Sequence, residues 1–295
     1  MDIRRYDTSI ANRVFDAFLY LLLTLLCITI IYPFLHLLAL SFNQGIDAIR
    51  GGIGIWPRAF TTENYALVFQ DQGLISAVGM TVLRTVVGTT VEVMLTAGVA
   101  YCFTKSLVGY KFYMALYLIP MYWGAGIIPT YLVYREMGIL NSFWIYILPN
   151  LAFGYNIIVM RTNFKSIPPA LEESAEIDGA SVLRIFLQII IPLSGPVLAT
   201  IALFAAVFQW NSWFDTLMYT RSDSLETLSS LLAQMLMEQQ SSYVGSAIVT
   251  KRANHLTPEV LRAAMTIITT VPILFVYPFV QRFLISGVMV GSVKE

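Results

Sequence analysis

VFDAFLYLLLTLLCITIIYPFLHLLAL, residues Val14 to Leu40, is an almost unbroken run of apolar side chains. A helix that crosses a bilayer needs about 20 consecutive, mostly apolar residues, and this run exceeds that length. It is also much longer than the apolar core of a cleavable signal peptide, and Arg4, Arg5 and Arg13 precede it. The run therefore predicts a retained first membrane helix.

Five further apolar runs follow along the chain. They span Ser76 to Tyr101, Phe112 to Leu132, Phe143 to Met160, Leu193 to Trp210 and Ala263 to Val280. Hydrophobic residues make up 57% of the chain and charged residues 12%, with a mean hydropathy of +0.70, which does not describe a water-soluble surface. The sequence predicts an all-α membrane protein with six transmembrane helices.

Lysine and arginine indicate the orientation, because positive charge beside membrane helices is retained in the cytoplasm. Six crossings place both termini on one side. If that side is the cytoplasm, the inner segments hold more Lys and Arg residues than the longer outer segments, and Arg84 falls within the second crossing. We predict cytoplasmic N- and C-termini, with residues 1–13 as the cytoplasmic N-terminus and residues 14–295 as the membrane domain. Residues 161–192 are then cytoplasmic and residues 211–262 extracytoplasmic.

Charge and motif content exclude several other functions. The 18 basic and 18 acidic residues balance, so no basic excess predicts a nucleic-acid partner. The chain has no phosphate-binding loop of the form G-x-x-x-x-G-K-[ST], and neither of the hydrolase motifs HExxH and GxSxG. His36 and His255 are isolated, while Cys27 and Cys102 belong to no metal-ligand cluster and are predicted to be small core residues. We predict a non-enzymatic chain that itself binds no metal or cofactor, so any ATP is handled by another subunit.

RTNFKSIPPALEESAEIDGASVLRIFLQIIIPLSGP, residues Arg161 to Pro196, is the inner segment with the most specific pattern. The Pro168–Pro169 pair suits the start of a helix, and residues 170–177 are predicted to form a short one, whose acidic residues favour its first turns through the helix dipole. Gly179 can adopt the positive φ that ends such a helix, and residues 180–190 are predicted to form a second helix on a new axis. A short helix of this kind must present its surface to water or to another protein.

This segment resembles the EAA loop of ABC importer permeases, in which Glu and two small residues are followed at fixed distances by Gly and by Ile-x-Leu-Pro. Glu173 opens the matching triplet, Gly179 follows at the right distance, and residues 189–192 close the motif. Two positions depart from the family pattern, Ser174 in place of Ala and Ile191 in place of Leu.

In that family the short helix seats in a groove of an ATPase subunit and transmits the closing of that subunit to the membrane helices. The resemblance implies that the matching residues and the acidic residues beside them contact an ATPase. These residues are Glu172, Glu173, Ser174, Ala175, Asp178 and Gly179.

The resemblance covers most of the chain and narrows to carbohydrate-uptake permeases of the maltose-transporter type. The segments at Met121 to Pro149, Phe208 to Trp213 and Tyr277 to Glu295 are similar to the smaller partner subunit of such heterodimers, in a subgroup that handles oligosaccharides, including uronic-acid-containing ones such as pectin fragments or alginate. The resemblance implies the type I importer permease fold in a bacterial cytoplasmic membrane. It also implies a homologous second permease, two ATPases that bind ATP and Mg²⁺, and an extracytoplasmic solute-binding protein.

Two groups of residues are candidates for the substrate path. Arg84 and Glu92 are ionisable residues within a predicted span, where such groups face a cavity, a polar partner or, for Glu92, the sister subunit. Sugars stack on aromatic faces and bond to amides, which suggests Trp210, Asn211 and Trp213, together with Tyr122, Trp123, Tyr155 and Asn156. The same aromatic residues could instead form the interfacial belt of a membrane protein. In maltose-type importers the membrane sugar site lies mainly in the other permease.

The outer stretch at residues 211–262 is too long for a simple turn. Apolar residues recur at helical spacing from Leu225 to Leu236, with Asp223 or Ser224 as the predicted N-cap. The helix either lies on the membrane surface or bundle top, or docks an external partner. The resemblance implies contact with the solute-binding protein, through residues 225–240 and the polar tip near Gln239 to Tyr243.

Two other functions remain compatible with the sequence. One is an importer permease of the same superfamily for a solute such as an amino acid or glycerol phosphate. The other is a secondary transporter that works without ATP, for which inverted halves and buried ion sites are expected.

Overall fold

The computed structural model describes residues 10–105, 108–151, 153–240 and 257–292. Throughout these residues the regular structure is helical, and one isolated antiparallel bridge joins Asn43 and Phe60. The chain divides into two compact units. One comprises Met1–Gln70 with Glu238–Ile268, and the other comprises Asp71–Met237 with Thr269–Glu295.

The first unit begins with helix α1 (Ile10–Ser41), which contains Pro33 without a break. Nearly all of its side chains up to Ile31 are exposed, as expected for a helix whose neighbours are lipid or another chain. Helices α2 (Gly45–Ala48) and α3 (Glu63–Gln70) follow. Asp47 stabilises the segment that links these two helices, because its carboxylate accepts a hydrogen bond from Arg58 Nε at 3.1 Å.

The second unit is built around a long helix, α4 (Gln72–Cys102), which begins at Asp71, whose carboxylate accepts a hydrogen bond from the Gly73 N–H at 2.8 Å. The remaining helices follow in chain order, and the last of them starts in the first unit. They are α5 (Tyr110–Tyr122), α6 (Ile127–Glu136), α7 (Gly154–Ser166), α8 (Pro169–Ile177), α9 (Val182–Ile185), α10 (Ile191–Leu193), α11 (Gly195–Asn211), α12 (Phe214–Tyr219), α13 (Leu228–Gln240) and α14 (Pro258–Ser292).

The core of this unit lies where α4 packs against α7 and α11. Buried Tyr101 stacks on Phe186 with ring centroids 5.2 Å apart, and Ile157 and Ile201 contribute to the same apolar cluster. Small residues on α4 let α11 approach closely, and Gly88 is the tightest of these positions.

Substituting Gly88 with alanine is expected to destabilise this contact. A Cβ atom at position 88 would lie 2.6 Å from Gln209 Nε2 and 2.8 Å from Gln209 Cδ. The Gln209 side chain cannot move away freely, because it is buried and hydrogen-bonded at both ends. We expect a loss of roughly 1 to 3 kcal/mol in stability, measured as a lower unfolding temperature of the purified chain in detergent. Gly98→Ala on the same helix is the control, since nothing lies within 4 Å of its added Cβ, and an equal shift in both variants would contradict the prediction.

The predicted membrane spans are only partly reproduced. In the described part of the chain, three helices are long and apolar enough to cross a bilayer, at Asn12–Ser41, Gln72–Cys102 and Pro258–Pro278. The number of candidate crossings rises to five if each of two bent helix pairs is counted as one crossing. These pairs are Phe143–Asn150 with Gly154–Ser166 and Val182–Leu193 with Gly195–Asn211.

The third predicted span, Phe112 to Leu132, is wrong as a continuous helix. It is broken between α5 and α6, where Trp123 is extended and Gly126 has φ +82°. Pro120 lies inside α5 but does not end it, so the break lies at the Gly124–Gly126 stretch rather than at the proline.

The fourth predicted span, Phe143 to Met160, starts as two short 3₁₀ turns, at Phe143–Tyr146 and Leu148–Asn150, and becomes α-helical only at Gly154. Pro149 has no N–H with which to continue a helix, which accounts for this delayed start. The cysteine prediction was also wrong, because both Cys27 and Cys102 are exposed.

Candidate functional site

Helix α8 ends where its sequence predicts and starts one residue before the predicted position 170. It starts at Pro169 after Pro168 and ends at Ile177. Gly179 has φ +76°, its N–H donates to the carbonyl of Glu176 at 3.0 Å, and the Ala180 N–H donates to the carbonyl of Ala175 at 2.9 Å. These two bonds form a Schellman motif, which requires a left-handed residue at position 179. The predicted positive φ of Gly179 is therefore confirmed.

One face of α8 rests on the bundle. Ala175 and Ala180 pack against the apolar cluster that contains Tyr101 and Phe186. The other residues implied as ATPase contacts differ in exposure: Glu172 is half-buried, whereas Glu173, Ser174, Asp178 and Gly179 are exposed. The structure therefore separates the EAA triplet into an inward-facing alanine and two outward-facing residues.

An ion pair ties α8 to the end of α4. Lys105 Nζ donates to Glu172 Oε2, the Tyr101 hydroxyl donates to the same oxygen at 3.2 Å, and Lys105 Nζ lies 5.0 Å from the centroid of the Tyr101 ring. Burial lowers the pKa of Lys105, but the hydrogen bonds to Glu172 and Tyr101 outweigh it, and the net pKa lies above its ordinary value. The raised pKa stabilises the folded chain fully at any pH below the pKa that Lys105 has in the unfolded chain. This stabilisation is lost only as the pH rises through the pKa of Lys105 in the folded chain. The pair is therefore formed at neutral pH.

Large apolar side chains are exposed around the glycine turn. Ile177 is 87% exposed, and Val182 and Leu183 on α9 are 61% and 66% exposed. Leu171 and Leu187 are also exposed at the two ends of this surface. We call these five residues the apolar rim. In a segment predicted to lie outside the bilayer, such a cluster is typical of a protein interface.

The second predicted helix of this segment, Ala180 to Ile190, is wrong in detail. The Ser181 hydroxyl caps α9, which begins at Val182, and residues 186–190 are π-helical rather than α-helical. Pro192 in the next turn has no N–H to donate, which favours such a widened turn. After Leu193 the chain bends by 84° into α11.

Arg84 lies in a closed polar cluster near the opposite end of α4. Its side chain is fully buried and makes a two-pronged ion pair with Asp215, with Nη2 to Oδ2 at 2.6 Å and Nη1 to Oδ1 at 3.1 Å. Nη2 also donates to Gln209 Oε1 at 3.0 Å, and the guanidinium lies 4.2 Å from the centroid of the Tyr146 ring. The N–H groups of Arg84 donate hydrogen bonds to protein groups. The side chain therefore connects α4 to α11 and α12 as a structural contact.

Glu92 has a different environment. It is 5% exposed and accepts a hydrogen bond from Asn156 Nδ2 at 3.1 Å. Both residues line a cavity of about 270 Å³ between α4, α7 and α11, to which Tyr155 also contributes. Three of the predicted path residues are thus brought together at one cavity.

The remaining path candidates are dispersed. Trp210 Nε1 donates to the carbonyl of Thr269 at 3.0 Å, and Asn211 Nδ2 donates to the carbonyl of Val207 within its own helix at 2.8 Å. Trp213 contacts Phe214 edge to face, with ring centroids 5.9 Å apart. Tyr122 and Trp123 are exposed where α5 ends.

The outer stretch packs onto the bundle before forming its helix. The N-cap prediction at Asp223 or Ser224 was wrong: those residues form a 3₁₀ turn, and α13 starts at Leu228. Thr227 precedes it as a cap, with the Ser230 N–H donating to Thr227 Oγ1 at 3.3 Å and the Thr227 N–H donating to Ser230 Oγ at 3.0 Å. From the polar tip predicted at Gln239 to Tyr243, residues 241–243 lie outside the described residues.

A family model described as the binding-protein-dependent transport system inner membrane component matches residues 94–290 of this chain. The chain belongs to this family. The matched range contains the whole segment at 161–192, whereas Arg84 and Glu92 precede it.

Several relatives of this chain are named as permease proteins of transport systems. The polygalacturonan/rhamnogalacturonan transport system permease protein YtcP of Bacillus subtilis (strain 168) is 33% identical over 96% of this chain and 99% of its own length. Protein LplC of the same organism is 36% identical over 99% of both chains. A crystal structure of a bacterial ABC transporter involved in the import of the acidic polysaccharide alginate has a chain with a TM-score of 0.83 and 27% identity, covering 93% of this chain and 98% of that one. The predicted resemblance to carbohydrate-uptake permeases of ABC importers is confirmed.

Two features of this family member were not predicted from its sequence. The partner of Arg84 is Asp215, and the partner of Glu172 is Lys105. An arginine within a span does signal that an acidic partner exists. Asp215, the acidic residue just after the fifth predicted span, could have been proposed on that ground. No comparable signal identified Lys105.

Proposed function

We propose that this chain is one permease subunit of an ATP-driven importer, and that it forms half of the translocation pathway. The observation that carries the proposal is the two-sided character of α8. Its inner side is fastened to α4 through Glu172 and Lys105 and to the core through Ala175. Its outer side presents Glu173 and Ser174, and the exposed apolar rim begins on α8 and continues beyond its glycine turn.

This arrangement supports coupling to an ATPase subunit on the cytoplasmic side. A partner that covers the apolar rim removes apolar surface from water, at about 25 cal/mol per Å². When that partner moves, α8 moves with it, and the ion pair passes the motion to the end of α4. The two conformations of the bundle would then open the pathway alternately to each side. ATP and Mg²⁺ would be bound by two partner ATPases and not by this chain.

For the topology we propose six crossings, with both termini in the cytoplasm of a bacterium and the protein in its cytoplasmic membrane. The three long helices and the two bent pairs supply five crossings. The sixth would be formed by α5 and α6 together, since the apolar stretch at Tyr110–Glu136 is interrupted only at residues 123–126.

For the substrate we propose an oligosaccharide, including uronic-acid-containing ones such as pectin or alginate fragments. The names of the pectin-type relative and of the alginate importer support this class. The partners would be a homologous second permease, to which this chain is the smaller subunit, and an extracytoplasmic solute-binding protein. The outer stretch at residues 211–262 is the proposed contact for that protein.

The test is reconstitution with the second permease, the ATPases and the binding protein encoded nearby. We expect ATP hydrolysis in proteoliposomes to rise when an oligosaccharide is supplied with its binding protein, and to stay at the basal rate with amino acids or glycerol phosphate. Stimulation by one of those solutes instead would identify a different importer of the superfamily. Transport that continues after the ATPases are omitted would indicate a secondary transporter and reject the proposal.

A further inference from the structure

The cavity beside Glu92 combines the groups that proteins use to bind sugars. Its polar lining residues are Glu92, Asn150, Asn156 and Tyr155, and its apolar lining residues include the aromatic Phe204 and Phe208. Carboxyl and amide groups can accept and donate hydrogen bonds with hydroxyls, while aromatic faces cover the apolar C–H surface of a ring. Its volume of about 270 Å³ is at the lower end of ligand pockets, which suits a single sugar ring.

Two polar residues of this cavity are hydrogen-bonded to each other and keep further donor and acceptor capacity for a ligand. Glu92 and Asn156 are 5% and 6% exposed, and they bond to each other through one carboxylate oxygen and one amide nitrogen. A buried carboxyl group is costly without further hydrogen bonds, so a ligand that supplies hydroxyl donors here is favoured. Phe204 and Phe208 line the same cavity, and each residue is about half exposed.

The charge of the lining restricts the ligand. None of the described residues that line the cavity is basic, and one of them is acidic. A sugar carboxylate placed here would meet no compensating charge in a site of low polarity, whereas a hydroxyl would meet an acceptor. We propose that this cavity binds one uncharged, hydroxyl-bearing sugar ring of the transported oligosaccharide, and that it disfavours a uronate ring. This inference rests on the proposed import function and assigns an uncharged sugar unit to one position of its path.

The experiment measures protection of a cysteine at the cavity mouth. Cys27 and Cys102 are replaced by serine, Phe153→Cys is introduced at an exposed lining residue to which the proposal assigns no contact, and the complete importer with its binding protein is treated with a thiol reagent. The probes are an oligosaccharide of alternating rhamnose and galacturonate units and an oligogalacturonate of equal length. We expect the alternating oligosaccharide to slow labelling about tenfold, which corresponds to occupancy of nine-tenths of the sites, and the oligogalacturonate to slow it far less. Val207→Cys, exposed on α11 but not part of the cavity lining, is the control and should be labelled at one rate throughout.

A second variant tests the role of the carboxyl group. Adding Glu92→Ala to the Phe153→Cys chain should remove most of the protection by the alternating oligosaccharide, because the ring loses its acceptor. Equal labelling with and without either saccharide, while the same preparation shows saccharide-stimulated ATP hydrolysis, overturns the cavity assignment and leaves the import function standing. A cysteine that reacts in the isolated chain but never in the assembled importer shows that a partner subunit fills the cavity, which also overturns it. Absence of stimulation by any saccharide rejects both the import function and this inference.

Discussion

Gly179→Asp is expected to lower saccharide-stimulated ATP hydrolysis by the assembled importer at least about tenfold, while the chain still inserts and co-purifies with the second permease. The substitution acts on the turn that ends α8. A side chain in the left-handed conformation costs about 1 kcal/mol or more, and the φ of +76° at this position is fixed by two backbone hydrogen bonds. The new carboxylate would also lie beside the apolar rim, where its desolvation opposes the docking of a partner.

A matched control separates these two effects. Gly138, just after α6, has φ +68°, and the same pair of backbone bonds closes its turn, from Gly138 N to Arg135 O at 3.0 Å and from Ile139 N to Tyr134 O at 3.2 Å. Neither glycine has an atom within 4 Å of an added Cβ. Gly138→Asp therefore imposes a similar backbone strain away from α8, and its stimulated hydrolysis should remain near the wild-type rate. Normal stimulation in Gly179→Asp, or equal loss in both variants, would falsify the coupling role of this turn.

Reversing the charge of either partner in the Lys105–Glu172 ion pair is expected to have the second-largest effect. Lys105→Glu places two carboxylates side by side and removes the cation above the Tyr101 ring. As a partly exposed pair it is worth no more than about 1 kcal/mol in stability, so the unfolding temperature should change little. Because α8 would be repelled from the end of α4, we expect stimulated ATP hydrolysis and transport to fall roughly fivefold or more, by about 1 kcal/mol of coupling.

The reciprocal variant tests whether Lys105 and Glu172 act as a pair. Lys105→Glu combined with Glu172→Lys restores opposite charges at the same two positions and should recover most of the lost transport. Arg135→Glu, which disrupts the exposed pair between Arg135 and Glu136, is the control and should leave transport unchanged. A double variant as inactive as the single ones would mean that these residues act separately, for example through direct contact of Glu172 with the ATPase.

The sequence predicted α8 well because every signal for it is local. Pro169 has the φ of a first helical residue, the helix is short, and the N–H groups that close the turn belong to Gly179 and to Ala180 directly after it. The helix and the turn that ends it could thus be predicted from about twenty consecutive residues. The exposure of Ile177 and Val182 could not, because a periodic pattern gives the faces of a helix but not what covers each face.

The bundle was harder to predict, because its decisive contacts join distant positions. Arg84 meets Asp215 across 131 residues, and neither position carries a motif that specifies the other. Hydropathy identified the apolar run around Pro120 but not the break at Trp123, since two glycines two positions apart change backbone conformation without making the run less apolar. The cavity at Glu92 and Asn156 likewise depends on three helices packing together.

The bend between α10 and α11 determines how far a tilt of α11 would displace the far end of that helix. The stretch that follows α8 meets α11 at 84°, and the bend lies at Ser194, whose hydroxyl is buried and has no hydrogen-bond partner among the described residues. The α11 helix runs from Gly195 to Asn211, about 25 Å in length, so a tilt of about 10° at its base would displace its far end by about 4 Å. That far end carries Gln209, the residue clamped between Arg84 and the Tyr146 carbonyl. A small tilt of α11 at this bend would therefore become a displacement of its far end as large as a side chain.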